Sequence, residues 1–306
     1  LAAQPWQLEE NAMSSQGLAS VLAPGAQVEC VASGFATFAE GPLWWPEQGC
    51  LIISDIVGDA SWRVWPDGRH EVFRKPSEHA NGRTWDRNGN MLTTEHVTRS
   101  VTRLVDGTYR PVATHYQGKR FNSPNDLIVG PGGQLYITDP PFGLDPPYGS
   151  HHQEAELDFS GVFRIDPATG EATLLHRDFK YPNGLALSPD GRRLYVNDSA
   201  TQAIWVWDTT PDGAASGRPF ADASGGEGVV DGLKCDQEGR VYCTSPGKTV
   251  AIFEAGGTLL GRLEVPEQPS AVAWGDADFA TLYITAETGV YRVRTSTRGV
   301  GSGVRA

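Results

Sequence analysis

The sequence predicts an all-β fold, a six-bladed β-propeller of four-stranded antiparallel blades around a central channel. The first observation is a repeat: a polar residue, a short apolar segment, a Gly-containing turn, then a second apolar segment. It begins at Glu40, Asn81, Asn125, Asn183, Asp231 and Ser270, an average spacing of about 46 residues, which is the period of a propeller or solenoid. Second, each copy runs into a third alternating stretch, such as "SWRVWPDG" or "AIWVWDTTPDG", and segments such as "EVFRKP" and "TLLHRDF" supply outer strands. Third, no long amphipathic helical pattern interrupts the series, which argues against a Rossmann or barrel α/β fold.

Taken in order, residues 1 to about 25 lack clear periodicity and read as an arm or short helix. "AQVECVAS" (26–33) reads as a strand that completes the last blade and closes the ring, removing an exposed edge. The domain organisation is then an arm at 1–25, a propeller at 26–298 and a tail at 299–306. Asn88-Gly89, Gly132-Gly133 and Asp190-Gly191 supply hairpin turn chemistry. One insertion, "PFGLDPPYGSHHQEAELDFS" (141–160), is either a surface excursion or a lid over the channel mouth.

Composition narrows the function classes. The chain has 306 residues, 39% hydrophobic and 20% charged, which is the balance of a soluble globular protein able to bury a sizeable core. A net charge of −12 repels phosphate backbones, so no nucleic-acid partner is expected. No apolar run is long enough to span a membrane, and no signal-peptide core is visible near the N-terminus. The expected location is cytoplasmic; because Leu1 rather than Met stands first, upstream processing and a periplasmic place stay open. Cys30, Cys50, Cys235 and Cys243 form no Cys-x-x-Cys pair and read as buried free thiols, with a Cys235–Cys243 bridge as the alternative.

In a propeller, equivalent positions of the innermost strands face one axis. The six aligned residues all carry a side-chain oxygen, and two of them, Glu40 and Asp231, are carboxylates. Any one could be a strand-end cap, since Asn and Asp favour turns. A ring of such residues instead suits one hard divalent cation, with Ca²⁺ favoured and Zn²⁺, Mg²⁺ and Mn²⁺ left open.

The segments "AEGPLWW", "RFNSPNDL", "YPNGLALSPDG" and "VVDGLKCD" closely resemble the SMP-30/gluconolactonase/luciferin-regenerating family, over nearly the whole chain after residue 30. "GKRFNSPNDL", "ITDPPFG" and "PNGLALSPDG" are most similar to its bacterial gluconolactonase branch. The resemblance implies a six-bladed propeller with one metal in the channel. Carried over by motif, it implies Glu40, Asn183 and Asp231 as metal ligands, Asn125 reaching metal or substrate, and Asp231 as the catalytic acid/base. Two positions depart from the pattern. Ser123 stands where the animal sugar-lactonase branch has an arginine, although Arg120 is close, and Lys234 stands where phosphotriesterase relatives have an aspartate.

The expected function is a metal-dependent lactonase acting on a gluconolactone-like small molecule. Hydrolysis needs a polarised carbonyl, an activated water and a stabilised oxyanion, which a cation and a neighbouring carboxylate supply. Asn81, Asn125, His96 and Asp139 are the candidate substrate-binding residues. Asp139 and Asp198 end second strands and have turn-capping as their bland reading, as a solvated or structural role is for His96. His151 and His152 read as exposed. The alternatives are another esterase or organophosphate hydrolase on this scaffold, or a non-catalytic, metal-stabilised binding propeller. "PGKT" (246–249) lacks the upstream glycine of a phosphate loop, and no Gly-x-Ser-x-Gly elbow exists. The nine tryptophans, among them Trp44, Trp45, Trp205 and Trp207, read as blade packing.

Overall fold

Each repeat folds into a four-stranded antiparallel blade, and six blades close into one ring. The computed structural model describes residues 17–210, 213–214 and 216–300. Blade 1 comprises Ala39–Trp45, Cys50–Asp55, Ala60–Val64 and His70–Arg74. Blade 2 comprises Ala80–Trp85, Met91–Glu95, Ser100–Val105 and Thr108–Ala113, and blade 3 Leu127–Val129, Leu135–Asp139, Gly161–Ile165 and Ala172–His176. Blade 4 is built on Pro182–Leu187, Arg193–Asp198, Ala203–Thr210 and Arg218–Asp222. Blade 5 comprises Leu233–Cys235, Val241–Ser245, Thr249–Phe253 and Leu259–Glu264. Blade 6 holds Pro269–Gly275, Thr281–Ala286 and Gly289–Arg294, and its outer strand is the N-terminal Glu29–Ala32.

That last pairing closes the ring. Cys30 faces Tyr291 and Glu29 faces Arg292 across the antiparallel register, so the first strand covers the edge that blade 6 would otherwise expose. Residues before it also dock: Leu22 bridges to Thr295, and Val21 is fully buried. Residues 1–16 and 301–306, parts of the expected arm and tail, lie outside the described residues.

Burial follows strand position. Second strands such as Cys50–Asp55 and Leu135–Asp139 are buried at every residue, because blades cover both their faces. Outer strands such as His70–Arg74 are largely exposed. Aromatic side chains fill the spaces between blades: Trp44 stacks on Tyr283 at 5.7 Å, and Tyr242 meets Trp274 edge-on at 5.1 Å. Two indole N–H groups are satisfied across blades, Trp85 Nε1 donating to Trp44 O at 2.9 Å and Trp274 Nε1 to Cys235 O at 3.0 Å.

The blades are also laced near the axis. The second strands carry Ser54, Thr94, Thr138, Asn197, Thr244 and Thr285 at one equivalent position, all fully buried. Ser54 Oγ donates to Asn81 O at 2.7 Å, Thr94 Oγ1 to Asn125 O at 2.6 Å and Thr244 Oγ1 to Ser270 O at 3.0 Å. Asn197 Nδ2 donates to Asp231 O. Each bond ties a second strand to the first residue of the next blade's repeat, so the channel-facing residues are fixed by their neighbours.

Some local expectations change. Asn88 is not left-handed; only Gly89 is, with φ +81°, and Asp86 Oδ1 accepts from Asn88 N and Asn90 N at 2.9 Å each. The turn is therefore an aspartate-braced turn with a glycine exit. All four cysteines are free, and Cys30 is exposed rather than buried. Cys243 pairs with Leu233 and Cys235 with Val241, so the two thiols are offset along the ladder and unbridged. No helix of the described residues is long and apolar enough to cross a membrane.

Candidate functional site

Four of the six repeats place a glycine after the channel-facing residue: Glu40-Gly41, Asn81-Gly82, Asn183-Gly184 and Asp231-Gly232. The reason is crowding between blades. A Cβ on Gly184 would lie 2.3 Å from Asp231 O, and one on Gly41, whose φ is +52°, would lie 2.0 Å from Asn81 O. Bulges after Glu40, Ala80 and Pro182 break the ladder there and turn the flanking side chains toward the axis.

The side chains meet at one end of the channel, in a cavity of about 420 Å³. Glu40, Asn81, His96, Asn125, Asn183 and Asp231 all line it. Glu40 and Asp231 come from blades 1 and 5, and their buried carboxyl groups lie close enough to interact electrostatically. Burial pushes the Glu40 carboxyl up to about 7; the Asp126 charge adds to this, while the Gly41 N–H and Lys234 oppose it. Asp231 is held well above the usual carboxylate range by burial and then by the Glu40 charge.

Asn183 answers for its own orientation. Its Nδ2 donates to Ser199 Oγ at 3.0 Å, and that hydroxyl donates onward to Val230 O at 2.7 Å. The amide is thus fixed with Oδ1 free, buried and without a hydrogen-bond partner. An orphaned amide oxygen beside two buried carboxylates is a donor set that fits a hard divalent cation, because a positive charge would relieve both costs. Among the described residues no three His, Cys, Asp or Glu side chains cluster, so two carboxylates and amide oxygens are the set on offer.

His96 donates from Nδ1 to Tyr148 O at 2.8 Å, which leaves Nε2 as the unprotonated nitrogen. Burial lowers its pKa to about 4, so the ring is neutral at pH 7. Asn81 Nδ2 stands 3.5 Å from Nε2. The bond from His96 to Tyr148 O holds the 141–160 insertion, which is well anchored. Ser123 Oγ donates to Pro140 O at 2.5 Å and accepts from Gly143 N at 2.9 Å, and Gln153 N donates to Leu144 O at 2.8 Å. The insertion turns Phe142 and Tyr148 into the cavity wall. Ser123 therefore serves as a loop anchor.

Asp139 does not line the cavity: its Oδ2 accepts from Asn122 N at 2.8 Å, so the carboxylate clamps the chain entering its blade. Asp198 does the same for Tyr181 N at 2.8 Å, and Asp55 for Phe38 N at 3.0 Å. Ser270 lines the cavity, but its hydroxyl is committed to Ala39 O at 2.5 Å. His152 is exposed, bridging Asp145 and Glu154 at 2.7 and 3.1 Å.

The structure adds Arg83 and Asp126, which sequence reasoning passed over, and gives a place to Lys234, noted there only as a departure from a pattern. A constriction below the carboxylates holds Arg83, Asp126 and Lys234. Lys234 Nζ pairs with Asp126 Oδ2 at 3.2 Å, and Arg83 donates to the Ser54 and Ser61 hydroxyls. Their signal was present as a charged residue one to three places after the repeat start.

Residues 38–288 match the model of the SMP-30/gluconolactonase/LRE-like region. The chain belongs to this family. The gluconolactonase of Zymomonas mobilis is 33% identical, over 93% of this chain and 86% of its own length. The solved structure of a gluconolactonase from Xanthomonas campestris superposes with a TM-score of 0.84 at 33% identity, covering 91% of this chain and 92% of that one. A 6-deoxy-6-sulfogluconolactonase from Pseudomonas putida is 26% identical over 85% of this chain and 86% of its own. In this SMP-30/gluconolactonase/LRE-like member, the converging residues lie inside the matched region.

Proposed function

We propose that this protein is a lactone hydrolase of the gluconolactonase kind, acting on a sugar lactone with the help of one divalent cation. The observation that carries the reading is the convergence of Glu40, Asn183 and Asp231, from three separate blades, on one buried point of the channel. The similarity to gluconolactonases over most of the chain supports the reaction class.

Glu40, Asp231 and the free Oδ1 of Asn183 would hold the cation, with Ca²⁺ the first candidate for an all-oxygen set. Bound there, it supplies Lewis acidity toward the lactone carbonyl and the developing oxyanion. Asp231 is assigned the proton transfer. Its carboxylate lines the cavity, and a bound cation would offset the burial and Glu40 charge that otherwise favour its protonated form, leaving it ionised to accept a proton from the attacking water. The water oxygen bonds to the carbonyl carbon, the ring C–O bond breaks, and the proton passes to the departing ring oxygen, leaving a hydroxy acid. Asn81, Asn125 and the neutral His96 orient the ring hydroxyls, and the 141–160 wall limits water entry.

The test is glucono-δ-lactone hydrolysis by the full chain and by Asp231→Asn, with chelation and metal add-back. The expected result is cation-dependent turnover and a loss of about 10²-fold or more in kcat for the variant, with an unchanged fold. Near-normal turnover in Asp231→Asn removes Asp231 as the base. Turnover of no lactone, alongside peptide or protein binding, would favour the non-catalytic alternative.

A further inference from the structure

The channel does not end at the carboxylates. A second cavity, of about 510 Å³, lies at its other end, where the first strands of the blades finish. Trp44, Ile128, Leu187 and Trp274 wall it. Its rim is made by hairpin turns, and the rim residues Arg87, Pro131 and Asp190 are exposed, so this mouth is open to solvent. The hydrolysis steps above do not use it.

The constriction of Arg83, Asp126 and Lys234 joins the two cavities. Glu40, Asn125, Asn183 and Asp231 line both the constriction and the substrate-side cavity, while Pro42, Arg83 and Lys234 line both the constriction and the far cavity. The constriction has a volume of about 10 Å³, close to the least room that one water needs. A neck of that size passes water and excludes a lactone ring.

The lining suits water as well as the size does. Lys234 Nζ stands 3.2 Å from Asp126 Oδ2 and 3.5 Å from Leu185 O, and the Lys234 and Asp126 side chains keep 23% and 14% of their surface exposed. An ammonium has three donors and a carboxylate about four acceptor sites, so the pair has capacity left for a passing water. The substrate-side mouth is the poorer source during reaction. Phe38, Phe142, Tyr148 and Tyr181 wall it, and a lactone seated there stands between that mouth and the carboxylates. The nucleophile is needed on the carboxylate side, where the neck opens.

We infer that the attacking water reaches Asp231 from the far mouth, past the Lys234–Asp126 pair, while the lactone enters from the opposite end. This rests on the lactonase reading above and adds a direction of water supply to it. Substrate and water then do not compete for one entrance. The hydroxy acid leaves by the substrate-side mouth, since the neck excludes it too.

The experiment plugs the far cavity reversibly. Ile128 is half-buried in its wall, away from the site residues. In the full chain carrying Cys30→Ser and Ile128→Cys, the introduced thiol is labelled with methyl or benzyl methanethiosulfonate and later freed with dithiothreitol. Cys30→Ser removes the exposed native thiol; Cys50, Cys235 and Cys243 are buried. Mass spectrometry counts the labels, calorimetry follows Ca²⁺ binding, and glucono-δ-lactone hydrolysis gives kcat and KM. The benzyl label is expected to lower kcat by ~10-fold and the methyl label by less, with KM within about twofold, Ca²⁺ binding unchanged and full recovery on reduction. Complete benzyl labelling with kcat unchanged overturns the inference, because water then arrives by another path. So does a loss of kcat accompanied by an equal rise in KM or by lost Ca²⁺ binding, which marks damage to the site. A thiol that resists labelling also overturns it, because the far mouth is then closed. Failure of the unlabelled protein and wild type to hydrolyse the lactone overturns the lactonase reading instead.

Discussion

Asn183 shows how one residue depends on the next. Its amide is oriented by Ser199, and only that orientation leaves Oδ1 free at the carboxylates. Asn183→Leu should abolish cation-dependent turnover, by about 10²-fold or more in kcat/KM, with an unchanged circular dichroism spectrum. Ser199→Ala should cost about tenfold, since the amide loses its anchor but keeps its oxygen. Asp139 makes a different prediction, about stability. Its buried carboxyl has a folded pKa raised to about 7 by burial, against Asn122 and Ser123 backbone bonds that lower it. The folded state therefore holds a proton that the unfolded chain releases near pH 4, and stability from this group falls as pH rises from about 4 to 7. Asp139→Asn keeps the acceptor for Asn122 N and removes the titration. In urea unfolding it should match wild type near pH 4.5 and exceed it by about 1–3 kcal/mol at pH 7.5. An identical pH slope in both proteins contradicts this assignment. From sequence, Asp139 and Glu40 look alike, each an acid at a strand end. What separates them is which neighbour supplies the nearest N–H, and that is a tertiary fact.

At the scale of elements, the hairpins were readable because period-two alternation and Gly turns are local signals. The bonds from Ser54, Thr94, Asn197 and Thr244 to the next blade were not, although these residues form a visible column with Thr138 and Thr285, which bond within their own blades. A hydroxyl in an apolar strand reads as ordinary β-propensity until the neighbouring carbonyl is in place. Thr94→Val tests the column: it removes the hydroxyl from Asn125 O, which still accepts from Gly82 N at 2.9 Å. The expected cost is about 1 kcal/mol in denaturant unfolding, with KM for the lactone raised more than kcat is lowered. An unchanged midpoint would mean the bond contributes nothing. The 141–160 insertion left two readings open in sequence, excursion or lid. Its anchors at Ser123 and His96 lie far away in the chain, so composition could not choose between them.

For the whole molecule, six repeats and a leading strand were enough to anticipate both blade number and ring closure. Closure rests on the short Glu29–Ala32 strand, supported by Val21 and Leu22 packing on blade 6. A chain beginning at Ser33 should lose at least about 5 °C in Tm and associate through the uncovered Gly289–Arg294 edge, as read by calorimetry and light scattering. The ring's geometry also explains the site, since residues some 190 positions apart, Glu40 and Asp231, become neighbours only when blade 6 meets blade 1. The most direct measurement is a calorimetric titration of Ca²⁺ into the chelator-treated full chain and into Asn183→Leu. Binding of a single ion by the wild type, lost in the variant, is the predicted result. Equal binding by both, or no binding by the wild type to Ca²⁺, Zn²⁺, Mg²⁺ or Mn²⁺, would contradict a cation centre built from these three blades.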